Sequence, residues 1–318
     1  MSTQGSKTKV FYKTALILSA AGFALYTSAH MLARDGSDYF AGGHPLPLLA
    51  NALCIASVLW FFCACILIPK NTLPTEDFMR DKPCGAAMAP TIGTLLAGAV
   101  GFTYLQPTEL IAILQRHRAI DANTLCSLLV LLGTLPAAAY FALRIFNATK
   151  INNLIVILGA GPIAILTGLC GLTYFELDHH MNAPDKVGLQ LAWITTMLFL
   201  TAELRFSLGK AQPRRYLASA CIALFANACA FSCAFPILFR TTDNLHGTRI
   251  LAFCALCLGC CIYIGYRLSA FVTFCNQDQT PDIPAPVEEE TILSSDPEQT
   301  QGKDDQEDGC QQQDPMAS

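Results

Sequence analysis

From Thr14 to Ala33 the chain runs twenty residues without a Lys, Arg, Asp or Glu. Similar apolar stretches recur at Leu46–Ile68, Ala86–Gln106, Ala122–Leu143, Leu154–Tyr174, Val187–Leu204, Leu217–Phe239 and Ile250–Val272. About 20 apolar residues at 1.5 Å each suffice for a helix to cross the ~30 Å hydrocarbon core of a bilayer. Hydrocarbon offers no hydrogen bonds, so a single stretch can cross it only as a helix that pairs its own backbone groups. The pattern therefore predicts an all-α, polytopic membrane bundle of about eight transmembrane helices. Charges, prolines and asparagines collect in the connections. One of these, Pro107 to Asp121, places Leu110, Ile111, Ile113 and Leu114 before Gln115-Arg116-His117-Arg118, a spacing that suits a short helix lying at the interface.

Composition agrees with a bilayer setting: 53% of residues are hydrophobic, 14% are charged, and the mean hydropathy is +0.42. The formal charge of −4 conceals an uneven distribution, because residues 274–318 hold twelve acids against Lys303 alone. Residues 1–273 are net positive, a balance that gives nucleic-acid phosphates little to bind once the acidic tail is added. Three regions are expected: a basic N-terminus at 1–13, a transmembrane domain at 14–273, and a disordered acidic tail at 274–318. The tail has too few apolar residues to offset its ordering entropy. Lys and Arg favour the cytoplasmic side of short loops. With the N-terminus inside, fourteen of the twenty cationic residues fall on inner segments and six on outer ones, which predicts a cell-membrane protein with both termini cytoplasmic. The Lys-rich start followed by an apolar run ending Thr27-Ser28-Ala29 also has features of a signal peptide, but the run is long for one and is read as a span.

The first and fifth spans align over twelve residues with five identities, Ile17–Ser28 against Ile157–Gly168, and Pro45 and Pro184 hold similar places before the second and sixth. A four-plus-four parallel repeat would follow, with an axis along the membrane normal. Small residues recur every four positions, placing them on one helix face: Ala89, Gly93, Ala97 and Gly101 on the third span, Ala20, Ala24 and Ser28 on the first, and Cys257, Cys261, Gly265 and Ser269 on the eighth. Such faces let membrane helices approach closely. Twelve of the fifteen cysteines lie inside apolar runs, where a thiol behaves as a small hydrophobe. Cys254, Cys257, Cys260 and Cys261 include C-x-x-C spacings, which read here as packing rather than as a metal or redox motif.

Ionisable residues inside spans point to ion or proton paths, and they are scarce. Glu203 in the sixth span and Arg267 in the eighth lie at similar depth, with Arg144 ending the fourth at the same side. They either pair or extend separately to the headgroups. Gly161-Pro162 removes a backbone donor from the fifth span and supplies either a kink or a helix break. Asn227, like Asn51, is a polar side chain within a span and suits an interhelical hydrogen bond or a polar lining. The transport or gating candidates are thus Gly161, Pro162, Glu203, Asn227 and Arg267. All six histidines fall on the outer side. Glu176, Asp178, His179 and His180 cluster in one outer connection; they read first as an aqueous surface loop, with a metal or pH site as the weaker alternative, since imidazoles and carboxylates suit a divalent cation.

The first functional expectation is a permease or transporter-like protein for a small solute. The second is a non-transporting scaffold, or a sensor of external metal or pH with an acidic cytoplasmic tail. No catalytic pattern such as G-x-S-x-G or H-E-x-x-H is present, so an enzyme comes third and no cofactor is expected. Expected partners are the lipid bilayer and an undetermined small solute, not nucleic acid; a second copy of the chain and a cytoplasmic protein for the tail stay open. A polar cavity at mid-depth would separate the first expectation from the second.

Overall fold

The computed structural model describes residues 3–34, 40, 42–68, 73–74, 83–105, 111, 121–146, 152–175, 183–238 and 244–277. The interfacial segment expected at 107–121, apart from Ile111 and Asp121, and the tail beyond Gln277 lie outside them. Eight α-helices stand among the described residues: α1 (Thr3–Leu32), α2 (Pro45–Leu67), α3 (Met88–Tyr104), α4 (Ala122–Ile145), α5 (Asn152–Phe175), α6 (Pro184–Ser207), α7 (Pro213–Leu238) and α8 (Asn244–Gln277). A 3-10 turn, Gly85–Ala87, leads into α3. All eight are long and apolar enough to cross a membrane. Each coincides with one apolar stretch, but α1 begins at Thr3 and α8 ends at Gln277. Residues 3–13 are therefore the first three turns of α1. Hydropathy marks only the part of a helix that suits hydrocarbon, whereas the backbone ladder continues into water-exposed turns without loss.

Local chemistry sets several of the ends. Asp121 caps α4, its Oδ1 accepting from the Thr124 amide at 2.8 Å, and the His44 Nδ1 accepts from the Leu46 amide at 3.3 Å at the start of α2. The α6–α7 connection is a Schellman turn. Gly209 takes φ +68°, its amide donating to the Phe206 carbonyl while the Lys210 amide donates to that of Arg205. This turn folds α7 back against α6.

Six helices close a ring: α3 packs on α4, α4 on α5, α5 on α6, α6 on α7, α7 on α8, and α8 returns to α3. Outside it, α1 lies along α7 with α2 beside it. A four-plus-four repeat exchanges α1–α4 with α5–α8, which would match the α6–α7 contact with an α2–α3 contact and the α3–α8 contact with one between α7 and α4. Among the described residues neither counterpart is a packed pair, so the helix pairing does not carry that symmetry. Of the largest buried side chains, Trp193, Arg267, Tyr216, Tyr263, Phe199, Phe206, Phe225 and Phe271 come from α6, α7 and α8, with Tyr140 from α4 and Phe61 from α2. Leu67, Leu132, Leu135 and Ile157 point outward, as lipid-facing positions should.

Close helix approach occurs where glycine permits it. A Cβ on Gly93 would stand 2.8 Å from the Leu256 Cα, one on Gly259 2.8 Å from the Ala89 carbonyl, and one on Gly101 2.8 Å from the Val130 Cγ1. The small-residue face of α3 thus packs on α8 and α4. The stripe on α1 behaves otherwise: Ala20 and Ala24 are exposed, and the buried face carries Ala15, Ser19 and Ala29, with Gly22 set against Phe225 and Cys229. Lipid is as apolar as the core, so small residues alone do not say which side they face.

Candidate functional site

Three alternate helices of the ring meet in its interior at one end, each bringing residues four apart on one helix face. From α4 come Tyr140 and Arg144, from α6 Glu203 and Ser207, from α8 Tyr263 and Arg267. The Arg267 Nε lies 2.9 Å from the Glu203 Oε1, and the Tyr263 hydroxyl donates to the same oxygen at 2.6 Å. The Arg144 Nη2 donates to the Ser207 hydroxyl at 2.9 Å, with the guanidinium carbon 5.5 Å from the centre of the Tyr140 ring. Phe141 joins the two parts, standing edge-on to both Tyr140 and Tyr263 at ring separations of 5.1 and 5.3 Å. Glu203 is fully buried, Arg267 and Arg144 nearly so.

A carboxylate and two guanidiniums out of water are costly unless they satisfy one another, so these contacts hold the helix ends in one arrangement. The second carboxylate oxygen, Glu203 Oε2, has no hydrogen-bond partner among the described residues. The same end is tied to the start of α3 by the Cys84 amide donating to the Arg144 carbonyl at 3.0 Å, and to the end of α2 by the Arg214 Nε donating to the Ile68 carbonyl at 2.8 Å. Below it, Phe199, Phe206 and Phe271 surround Tyr216 with ring separations of 4.9 to 5.6 Å.

The structure brings Glu203 and Arg267 together and keeps the other candidates apart from them. Asn227 is buried between α6 and α7, donating through Nδ2 to the Thr196 hydroxyl at 2.7 Å and to the Ala223 carbonyl at 2.8 Å, an interhelical bond. Gly161 belongs to the α4–α5 crossing, where its Cβ would stand 2.5 Å from the Ala137 amide nitrogen and 2.7 Å from the Pro136 Cβ. At Pro162 the helix runs on as part of a single α5, with no break. Glu176, Asp178, His179 and His180 lie outside the described residues. Tyr140, Ser207 and Tyr263 had escaped notice in the sequence, although the Tyr-x-x-x-Arg spacing on both α4 and α8 was a signal for them.

Inside the ring at mid-depth, beside Pro162, Thr196 and Tyr263, the free volume is only about 10 Å³, room for one water at most. A far larger cavity, about 500 Å³, lies outside the ring, where α1, α2, α6 and α7 leave a cleft. These features, with eight apolar helices, define a multi-pass membrane protein that carries buried charge in its transmembrane interior. The chain matches no protein-family model, and neither the curated proteins nor the solved structures include a match to it.

Proposed function

We propose that the protein is a transporter-like permease for a small solute, with Glu203, Arg267 and Tyr263 as the latch that closes one end of the ring and Arg144 as its support. The observation that carries this reading is the buried ion pair itself. Ionisable groups within a membrane bundle are costly and serve paths or gates, and this one joins α6 to α8 where a cavity would have to open. A solute path through the ring then requires the ends of α4, α6 and α8 to part, a rigid-element motion of the kind that alternating access uses. Uptake by proteoliposomes carrying the full chain tests it, using radiolabelled amino acids, sugars, nucleosides and inorganic ions in turn. Uptake of one class, lost in Glu203→Gln with the fold retained, is the expected outcome.

The second reading, a non-transporting scaffold or external metal or pH sensor, is favoured by the filled interior, since about 10 Å³ passes no solute without rearrangement. Absence of uptake for every class, with hydrogen exchange at the ends of α4, α6 and α8 equal in wild type and Glu203→Gln, would support it instead.

On this reading the protein lies in the cell membrane with both termini in the cytoplasm, so that the latch faces inward. The partition of Lys and Arg supports this, as do Arg144, Arg205, Arg214 and Arg215 at the latch end. Reporter fusions after Val10 and after Pro281 should both read as cytoplasmic. An external reading for both would reverse the latch, and one for a single terminus would overturn the count of eight spans.

A further inference from the structure

The 500 Å³ cleft lies on the side of α7 away from the ring, with α2 and α6 as walls and Tyr26 of α1 at its edge. Its position alone would not distinguish it from ordinary membrane surface, but its chemistry does. Among the described residues, every one lining it is uncharged, although both Arg34 and Asp185 stand near that end of the bundle. One wall carries Asn51, an amide about 9 Å along α2 from Pro45. The Tyr26 hydroxyl donates to the Asn51 Oδ1 at 3.0 Å, which fixes the amide group and leaves its Nδ2 without a protein acceptor among the described residues. An amide donor held in an apolar cleft within the membrane is costly until something accepts from it. At the opposite wall, a Cβ on Gly188 would touch only the Cys233 Sγ, at 3.8 Å, so the space beside it is open. Its volume is that of a small-molecule site.

We infer that this cleft binds a neutral, lipid-soluble molecule with an apolar chain and one oxygen acceptor, a hydroxyl or carbonyl, which enters sideways from the bilayer and accepts a hydrogen bond from the Asn51 amide. The described walls of α2, α6 and α7 offer a phosphate no charged partner, so a phospholipid headgroup would have to stay at the rim. The site lies on α2 and α6, at the opposite end of α6 from Glu203, and it stands whether or not the latch gates a solute.

A diazirine-bearing hexadecanol, photolysed with the full chain in phosphatidylcholine nanodiscs and mapped by mass spectrometry, tests the inference. Labels should concentrate on residues 51–58, 187–195 and 226–233, and unlabelled hexadecanol should displace the probe about five- to tenfold better than hexadecane, the weight of one net hydrogen bond. Asn51→Leu should abolish that preference while leaving labelling in place. Gly188→Phe, which fills the cleft, should remove the labelling with thermal unfolding unchanged, and Ala226→Phe serves if that variant does not fold. Labelling spread evenly over the outward positions Leu132, Leu135 and Ile157 would overturn the proposal. So would equal displacement by alcohol and alkane in the wild type, or equal labelling of the cleft by a diazirine phosphatidylcholine.

Discussion

Neutralising Glu203 alone, as Glu203→Gln, should destabilise the bundle by about 3–5 kcal/mol, because it strands the Arg267 guanidinium in a place with little water. Arg267→Met should cost a similar amount by stranding the carboxylate, which already has an oxygen without a hydrogen-bond partner. The double variant should be less damaging than the sum of the two, and less than either alone if the cavity fills well, since no charge is then left behind. Tyr263→Phe removes one hydrogen bond at 2.6 Å and should cost less, on the order of 1.5–3 kcal/mol for a bond to a charged acceptor. Reversible unfolding in mixed micelles measures all four. Strict additivity would mean that the 2.9 Å contact contributes nothing in solution and would deprive the permease reading of its latch.

At the crossing of α4 and α5, Gly161→Leu should cost about 3 kcal/mol, near the upper end for overpacking, since the added side chain meets the backbone of Ala137 and the Pro136 ring, neither of which can rotate away. Gly133 lies on the other side of the same contact, where its Cβ would stand 2.8 Å from the Gly161 carbonyl, so Gly133→Leu should behave alike. Gly265 on α8 is the control. A Cβ there meets nothing within 4 Å, and Gly265→Ala should be neutral or stabilise by about 0.5–1 kcal/mol through the greater helix preference of Ala. Equal effects at Gly161 and Gly265 would show that the α4–α5 crossing is looser than described.

Part of the latch was legible in the sequence and part was not. Glu203 and Arg267 stand out because a charge within an apolar run is expensive wherever it faces. Tyr263, Tyr140 and Ser207 do not, because tyrosine and serine occur in membrane helices for many reasons, and only the arrival of three helices at one point gives them a common role. The repeat suggested by Ile17–Ser28 and Ile157–Gly168 lost its structural counterpart for a related reason. Apolar stretches match one another readily, while the ring is decided by which faces interlock. Gly161-Pro162 allows two readings from the sequence, a kink or a helix break. The packing against Pro136 and Ala137 settled the outcome, since a tightly packed neighbour holds the helix together around its missing hydrogen bond.

By itself the sequence determined the number of helices, their approximate limits and the two charges, Glu203 and Arg267, that either pair or reach the headgroups separately. These follow from hydrocarbon thickness and from backbone pairing, and both act along a single segment. Tertiary structure alone decided that α3 to α8 close a ring and that α1 turns Ala20 and Ala24 outward. It also decided that α2 and α6 stand apart far enough to leave the cleft beside Asn51. In water, hydrophobic periodicity tells inside from outside. In a bilayer the surroundings are as apolar as the core, so neighbours are chosen by shape, by glycine contacts and by a few hydrogen bonds, none of which a hydropathy pattern records.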